Sequence, residues 1–491
     1  TQNEKQSRGI TMSDDILQLT IFLFITGLIA VLTYRRVTRD IALQGAVRSA
    51  REEVFLAGKG LSWIVVAGSI TLTNLSTDQL VGMNGNQMAL LAWWELAAVV
   101  GLIILAKVIL PVYYRYNCTT TTELLERRYN DRRIRALIGL LFLLGNLFIF
   151  IPAMLYSGSL FVQTMFNVDL PLIFIAVVFA VVGSAYAVLG GLRAVAVSDA
   201  YSGVLLLTLG IVVVVLSLST IDFDLSGIPP ERLTMIGGSS APIPWHTLLT
   251  GMVFIQIFYW GTNQTITQRA MASPTVEEGQ RGVLAAAAIR LLIIPPLVVI
   301  PGIVSYKLFG DVGDAAFGMI VREVLPLWLS GAFAAAIAAA VLTSVNSVLN
   351  SSTTLWVCDI HEPFINPQAD LRRLNLVITL TFILIGLAMV PIYATADSII
   401  NLVQELYGLL SMPILSAFIV GLLFRDVAAG AAITAVVLGV LLYAFFSFVW
   451  APLHYIHMMF FTVIFCVLTA LAISRIVFGT SPAFEPALKL G

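Results

Sequence analysis

Residues 71–85 read TLTNLSTDQLVGMNG, and within six positions they set Asn74, Ser76, Thr77, Asp78 and Gln79 between the apolar runs LSWIVVAGSI and MALLAWW. Amides, hydroxyls and one carboxylate in such a place suit non-covalent coordination. A helix interrupted among apolar neighbours frees backbone carbonyls and half-helix ends, and these bind cations and polar solutes. Hydrogen bonding to a neighbouring helix explains a lone Asn, but five polar side chains together point to a solute or ion path. A second stretch, MVFIQIFYWGTNQTITQR at 252–269, repeats the character: a break is expected at Tyr259, Trp260 and Gly261, with Gln256 before it and Asn263 and Gln264 after. The third is GAFAAAIAAAVLTSVNSVLNSSTT at 331–354, where Thr343 and Ser344 follow a run of alanines. Small side chains permit close helix packing, and a hydroxyl pair facing a broken helix would complete an oxygen shell for a small hard cation such as Na⁺.

Other chemistries find little support. Cys118, Cys358 and Cys466 are far apart and form no metal or redox motif. His246, His361, His454 and His457 fall at the ends of apolar segments and read as solvated side chains. No phosphate-cradling loop is present, and the Gly190–Gly191 pair reads as a turn ending a helix. Paired carboxylates at a membrane face are also lacking, so no enzyme is expected.

The elements that must position these residues follow from composition. The chain has 491 residues, 59% hydrophobic and only 11% charged, which is far from a soluble domain. A membrane crossing takes about 20 apolar residues. Thirteen such stretches are expected, at 14–34, 61–85, 87–113, 133–165, 170–190, 195–219, 244–268, 282–306, 330–358, 373–394, 397–424, 427–450 and 453–478. The first lacks the flanks of a cleaved signal and reads as a retained span. Arginines collect in alternate loops: Arg35, Arg36, Arg39, Arg48 and Arg51, then Arg127, Arg128, Arg132, Arg133 and Arg135, against Arg232, Lys307 and Arg322 in the opposite ones besides Lys5 and Arg8 on the N-terminal tail. The positive-inside rule then sets the N-terminus outside and the C-terminus in the cytoplasm of a cell, most simply across a bacterial inner membrane. The second interrupted span lies five segments after the first, where an inverted repeat would put it.

Together, FLAGKGLSWIVVAGSITLTNLSTDQLVGMNG, GGLRAVAVSDAYSG, FYWGTNQTITQRAMA, LVVIPGIVSY, AAAVLTSVNSVLNSSTTL and LVQELYGLLSMPILSAFIVGLLF resemble, in order, the sodium/solute symporter family of sodium–glucose cotransporter type, over about residues 54–426. The resemblance implies an all-α polytopic membrane protein of leucine-transporter-like fold, with two inverted five-helix repeats at 61–220 and 244–425. An extra N-terminal helix and basic loop occupy 1–60, and two C-terminal helices 426–491.

Carried over residue by residue, the resemblance implies a sodium site of the Leu72, Leu75 and Ala340 carbonyls with the Thr343 and Ser344 hydroxyls. Solute residues of the sugar-transporting members correspond to Asn74, Gln79, Glu95, Gln256, Tyr259, Arg290 and Gln404, and gate positions to Met83, Trp94, Trp260 and Ile400. A galactose-carrying bacterial member has Lys for Arg290 and Asn for Gln256. Some relatives hold a second sodium with an Asp matching Asp199 and serines on the small-residue helix. One of those serines is Asn346 here while Ser347 remains, so one ion is expected, and these three residues form a candidate second ion site or exit path. The side chains themselves suit a ring of hydroxyls, since amides, Glu95 and Arg290 donate and accept, and Tyr259 and Trp260 offer flat faces. The expected function is sodium-coupled symport of a neutral monosaccharide across the lipid bilayer, with no obligatory protein partner. An anionic solute such as a uronate, sialic acid or monocarboxylate is the alternative.

Overall fold

The computed structural model describes residues 12–44, 55–368 and 370–487. Ten helices in it are long and apolar enough to cross a membrane, among them Arg132–Phe166, Leu327–Phe364 and Ile399–Leu423. Three shorter apolar helices, Trp63–Asn74, Leu172–Ser184 and Gly251–Gly261, fall in the remaining expected stretches. Large apolar side chains such as Leu23, Phe174, Val204, Leu384, Leu441 and Leu468 are exposed on the outside. Asp199, Arg269, Arg290 and Asp359 are buried inside. That inversion of the soluble pattern belongs to a multi-pass membrane protein whose outer solvent is lipid.

The first interruption lies where the sequence puts it. Helix Trp63–Asn74 ends at Leu75, which leaves helical geometry (φ −74°, ψ 62°), and a new helix runs from Thr77 to Gly85 after an extended Ser76. The Ser76 N–H turns to the Asn74 carbonyl at 2.7 Å instead of reaching back four residues, so the Leu72 carbonyl loses its helical donor. The second break falls slightly later than expected. Tyr259, Trp260 and Gly261 stay helical in Gly251–Gly261, and the chain opens at Thr262 and Asn263 before Gln264–Met271 begins. Asn263 restarts the helix by accepting the Thr265 N–H at 2.9 Å through its side chain, a cap that overrides the tendency of the aromatic pair to mark the break.

The small-residue helix Leu327–Leu355 is buried along nearly its whole length and packs against both broken helices and Leu172–Thr220. Gly190 and Gly191, expected at a turn, lie inside the continuous helical run Leu172–Thr220. The half-helix Thr77–Gly85 is fastened to Ile294–Phe309. Asn84 donates to the Leu297 carbonyl (3.1 Å) and accepts from the Gly302 N–H (2.7 Å). A Cβ at Gly302 would stand 2.2 Å from the Asn84 carbonyl, so only glycine admits this approach. Between spans, Asp314 accepts the Ile399 N–H at 2.9 Å at the start of Ile399–Leu423, and burial pushes its carboxyl up to about 7. One exception to an all-helical chain is a two-residue antiparallel pairing of Phe424–Arg425 with Ala483–Phe484.

At the end of the small-residue helix, Asp359 receives Arg135 Nε at 2.8 Å, while the same guanidinium reaches Glu123 at 2.9 Å and Glu126 at 2.7 Å. Removing one partner of a buried network strands the others' charge, at about 3–5 kcal/mol. Arg135→Met should therefore lower the thermal stability of the solubilised protein strongly. An unchanged melting curve would show that the network contributes no net stability.

Candidate functional site

The two broken helices meet directly. Asn74 Nδ2, at the first break, donates to the Tyr259 hydroxyl at 2.9 Å. Around this contact lies a pocket lined by residues of five spans, including Asn74, Gln79, Trp94, Glu95, Gln256, Tyr259, Trp260, Ile400 and Gln404. Nine of the solute and gate residues inferred from the sequence thus share one space. Gln79, with its amide nitrogen turned toward its acceptors, reaches Glu95 Oε1 at 3.3 Å and Asn74 Oδ1 at 3.2 Å. Gln256 is held at both ends: its amide donates to the Trp94 carbonyl (3.1 Å) and accepts from Trp260 Nε1 (2.9 Å).

Two inferred residues stand outside the lining. Met83 is fully buried away from the pocket, and Arg290 lies behind Glu95, paired to it directly, with its guanidinium 4.6 Å from the centre of the Trp260 ring. The Arg290 charge is thus matched before any solute arrives. The lining also contains Ser76, Asp78, Phe150, Met154, Ile255, Val403 and Tyr407, none of them among the inferred site residues. Tyr407 had a readable signal: Ile400, Val403, Gln404 and Tyr407 follow the spacing of one helix face, and Gln404 was already on it. Phe150 meets the Tyr407 ring edge-on at 4.6 Å, and Asn263 Nδ2 donates to the Tyr407 hydroxyl at 2.9 Å, so the second break also supports this wall. Asp78 bonds to the Ser76 hydroxyl and, among the described residues, makes no ion pair.

The inferred sodium residues sit where the first break meets the small-residue helix. The Thr73 and Ser347 hydroxyls are 3.3 Å apart across that contact. Leu72, Leu75, Ala340 and Ser344 are completely buried, and the Ser344 hydroxyl has no hydrogen-bond partner. Thr343 Oγ1 lies 2.8 Å from the Ala339 carbonyl and 3.3 Å from that of Ala340. A buried hydroxyl without a partner, on the helix that meets the first break, fits an oxygen-liganded cation. Deeper in, Asp199 accepts from Ser69 (2.6 Å) and Thr73 (3.3 Å) and faces the buried Arg269 at 3.8 Å. Both side-chain polar atoms of Asn346 lack partners. Missed in the sequence, Arg269 brings a cation to the candidate second-ion cluster.

The sequence pattern of the Sodium:solute symporter family matches residues 54–439. An uncharacterized symporter of Escherichia coli (strain K12), YidK, is 33% identical over 453 residues, covering 87% of this chain and 78% of that protein. The sodium/glucose cotransporter of Vibrio parahaemolyticus is 28% identical over 467 residues, covering 87% and 85%. Among solved structures, a Na⁺-coupled sialic acid symporter superposes with a TM-score of 0.80 at 16% identity, covering 96% of this chain and 98% of that one. The nucleobase-cation-symport-1 family transporter Mhp1 gives 0.60 at 15% identity, covering 91% and 97%. The fold is therefore that of these helical symporters.

The contact between the breaks makes a graded prediction at Tyr259. Tyr259→Phe keeps the ring and loses one hydrogen bond of about 1 kcal/mol, so solute affinity should fall by no more than roughly tenfold, whereas Tyr259→Ala should lose binding. Equal binding by the two variants would remove the ring from the site.

Proposed function

This chain belongs to the sodium:solute symporter family, and we propose that the solute it moves with sodium is a neutral monosaccharide, a hexose such as galactose or glucose, carried inward by alternating access. The observation that carries this reading is the charge in the pocket: its lining holds Asp78 and Glu95 and no arginine or lysine, and Arg290 is already matched to Glu95. An anion entering would meet carboxylates and no uncommitted cation among the described residues, while hydroxyls meet amides, a carboxylate and aromatic faces. The sodium/glucose cotransporter relative supports the same solute class.

In this reading Leu72, Leu75, Ala340, Thr343 and Ser344 hold the coupling ion, and one ion enters per cycle. Sodium draws the first break toward the small-residue helix and raises solute affinity, and by linkage solute raises sodium affinity equally. One Na⁺ moving down ~100 mV supplies about 2.3 kcal/mol, enough for roughly 40-fold accumulation at ~1.4 kcal/mol per tenfold. The two broken helices support inverted repeats at 61–220 and 244–425, flanked by 1–60 and 426–491, with the N-terminus outside and the C-terminus in the cytoplasm.

Two measurements test the proposal. Ser344→Ala should abolish Na⁺-driven uptake into proteoliposomes while the solubilised protein keeps its melting profile, because nothing else in a low-dielectric site replaces the lost oxygen. A Thr343→Ala/Ser344→Ala variant with normal sodium dependence would refute the ion site. For the solute, sodium-dependent binding of hexoses and of matching uronates is compared in wild type, Glu95→Gln and Arg290→Gln. Hexose binding should weaken in each variant by something on the order of 3 kcal/mol, because the partner is left as a lone buried charge. Tight uronate binding with no hexose binding in wild type would overturn the neutral-sugar reading.

A further inference from the structure

Three of the four histidines, scattered at segment ends in the sequence, converge at one end of the helical bundle. His246 lies in the short turn Trp245–Leu249 that leads into Gly251–Gly261, and His454 and His457 stand at the start of the last membrane helix, Tyr455–Ile476. His246 Nδ1 and His457 Nε2 are 2.6 Å apart. The ring planes are inclined by only 10° and the ring centres are 4.7 Å apart. The nitrogens are closer than the centres by about two ring radii, so the imidazoles meet edge to edge in one plane, with both nitrogens aimed at the same point.

Thr250 bears on which ring owns the hydrogen between them. Its hydroxyl is 3.2 Å from the Thr247 carbonyl and 2.9 Å from His457 Nδ1, and when it donates to the carbonyl its oxygen accepts from His457 Nδ1. In that tautomer His457 presents a bare lone pair at Nε2, and the shared hydrogen sits on His246 Nδ1. Fixing one ring nitrogen by an outer hydrogen bond so that the other can ligate is how proteins prepare histidine for a metal. His454 takes another role, its Nδ1 accepting the Ile456 N–H at 3.3 Å. Among the described residues no three His, Cys, Asp or Glu gather as a metal site, so two imidazoles are the protein's whole contribution. The segments that carry them touch through the backbone: a Cβ at Gly251 would stand 1.7 Å from the Ile456 carbonyl.

We propose that His246 and His457 form a two-imidazole site for a transition-metal dication such as Zn²⁺ or Ni²⁺, which takes the place of the hydrogen between the rings and clamps the lead of the second broken helix to the last membrane helix. On binding, His246 remains neutral with its hydrogen on Nε2, exchanged through water, and water fills the other coordination positions. Metal–nitrogen bonds of about 2.0–2.1 Å in tetrahedral geometry need the two nitrogens roughly 3.3 Å apart with the metal off the line between them, so the site forms by an opening of about 0.7 Å and a turn of about 35° in each ring, movements open to two half-buried side chains. Imidazole nitrogen selects Zn²⁺, Ni²⁺ and Cu²⁺ over Mg²⁺ and Ca²⁺. The clamped helix brings Gln256, Tyr259 and Trp260 to the pocket, so metal at this site restrains the wall that must move during transport. The binding step is independent of the function proposed above, and only the inhibitory step rests on it.

The test titrates ZnCl₂, NiCl₂ and MgCl₂ into the purified full chain by calorimetry, and adds the same salts outside proteoliposomes during sodium-driven uptake. Wild type should bind one Zn²⁺ or Ni²⁺ and no Mg²⁺. Affinity should fall at least 30-fold in His246→Gln and in His457→Gln, and by about tenfold in Thr250→Val, where only the orienting hydrogen bond is lost. Zn²⁺ should inhibit uptake by wild type and not by the His variants, whose uptake without metal persists. Absence of Zn²⁺ binding, or equal binding by wild type and all three variants, would overturn the site. Metal binding that depends on both histidines yet leaves uptake untouched would overturn the clamp. Should the chain prove to carry no sodium-driven uptake, the calorimetry still decides the site, and Thr250→Val leaves both imidazoles in place should a His variant fail to fold.

Discussion

Inside a hydrocarbon layer each backbone N–H and C=O must find a partner within the protein, and two places where this chain stops being helical set the demands on everything around them. At Leu75–Ser76 the Ser76 N–H turns back to Asn74, and the Leu72 carbonyl is left over. Polar side chains crowd in response. Thr73 and Ser347 meet beside the same turn, Ser69 and Thr73 both donate to Asp199, and the whole small-residue helix is thin enough to approach. At the second break Asn263 both caps the resumed helix and holds Tyr407. The two breaks are then joined by one hydrogen bond, Asn74 to Tyr259.

Buried charge follows an equally strict rule. Glu95 is matched by Arg290, Asp199 by Arg269 and Asp359 by Arg135. Such pairs gain little net stability against their desolvation, but losing either member is expensive, so they fix which helices face each other. Asp78 differs. It lies in the pocket with a hydroxyl as its partner and no arginine among the described residues. The pocket's electrostatic character therefore depends on a residue that belongs to the break itself.

Much of this was legible in the sequence because membrane burial leaves coarse marks. Runs of apolar residues give the spans, and polar clusters inside two of them give the breaks. The family's motifs then bring nine of the inferred side chains to one pocket. What could not be read was which side of a neighbour each side chain takes. Arg290 looks like a pocket residue until its guanidinium is found behind Glu95, against the Trp260 ring. Arg269 looks like a basic residue at a span end, yet it turns inward to Asp199. The second break moved to Thr262–Asn263 because a local cap at Asn263 outweighs the bulk of Tyr259 and Trp260. His246 and His457 are 211 positions apart, a distance over which spacing says nothing.

The seam between Thr77–Gly85 and Ile294–Phe309 constrains how such a molecule could change shape. Backbone touches backbone at Gly302, and Asn84 bonds to both Leu297 and Gly302, so neither helix can slide or tilt alone without losing a polar contact that lipid would not replace. The two travel as a single lever. The freedom to rearrange is then pushed to the joint at Leu75–Ser76, where the helical ladder of backbone bonds is interrupted, and the fulcrum of the lever falls at the residues proposed to hold sodium.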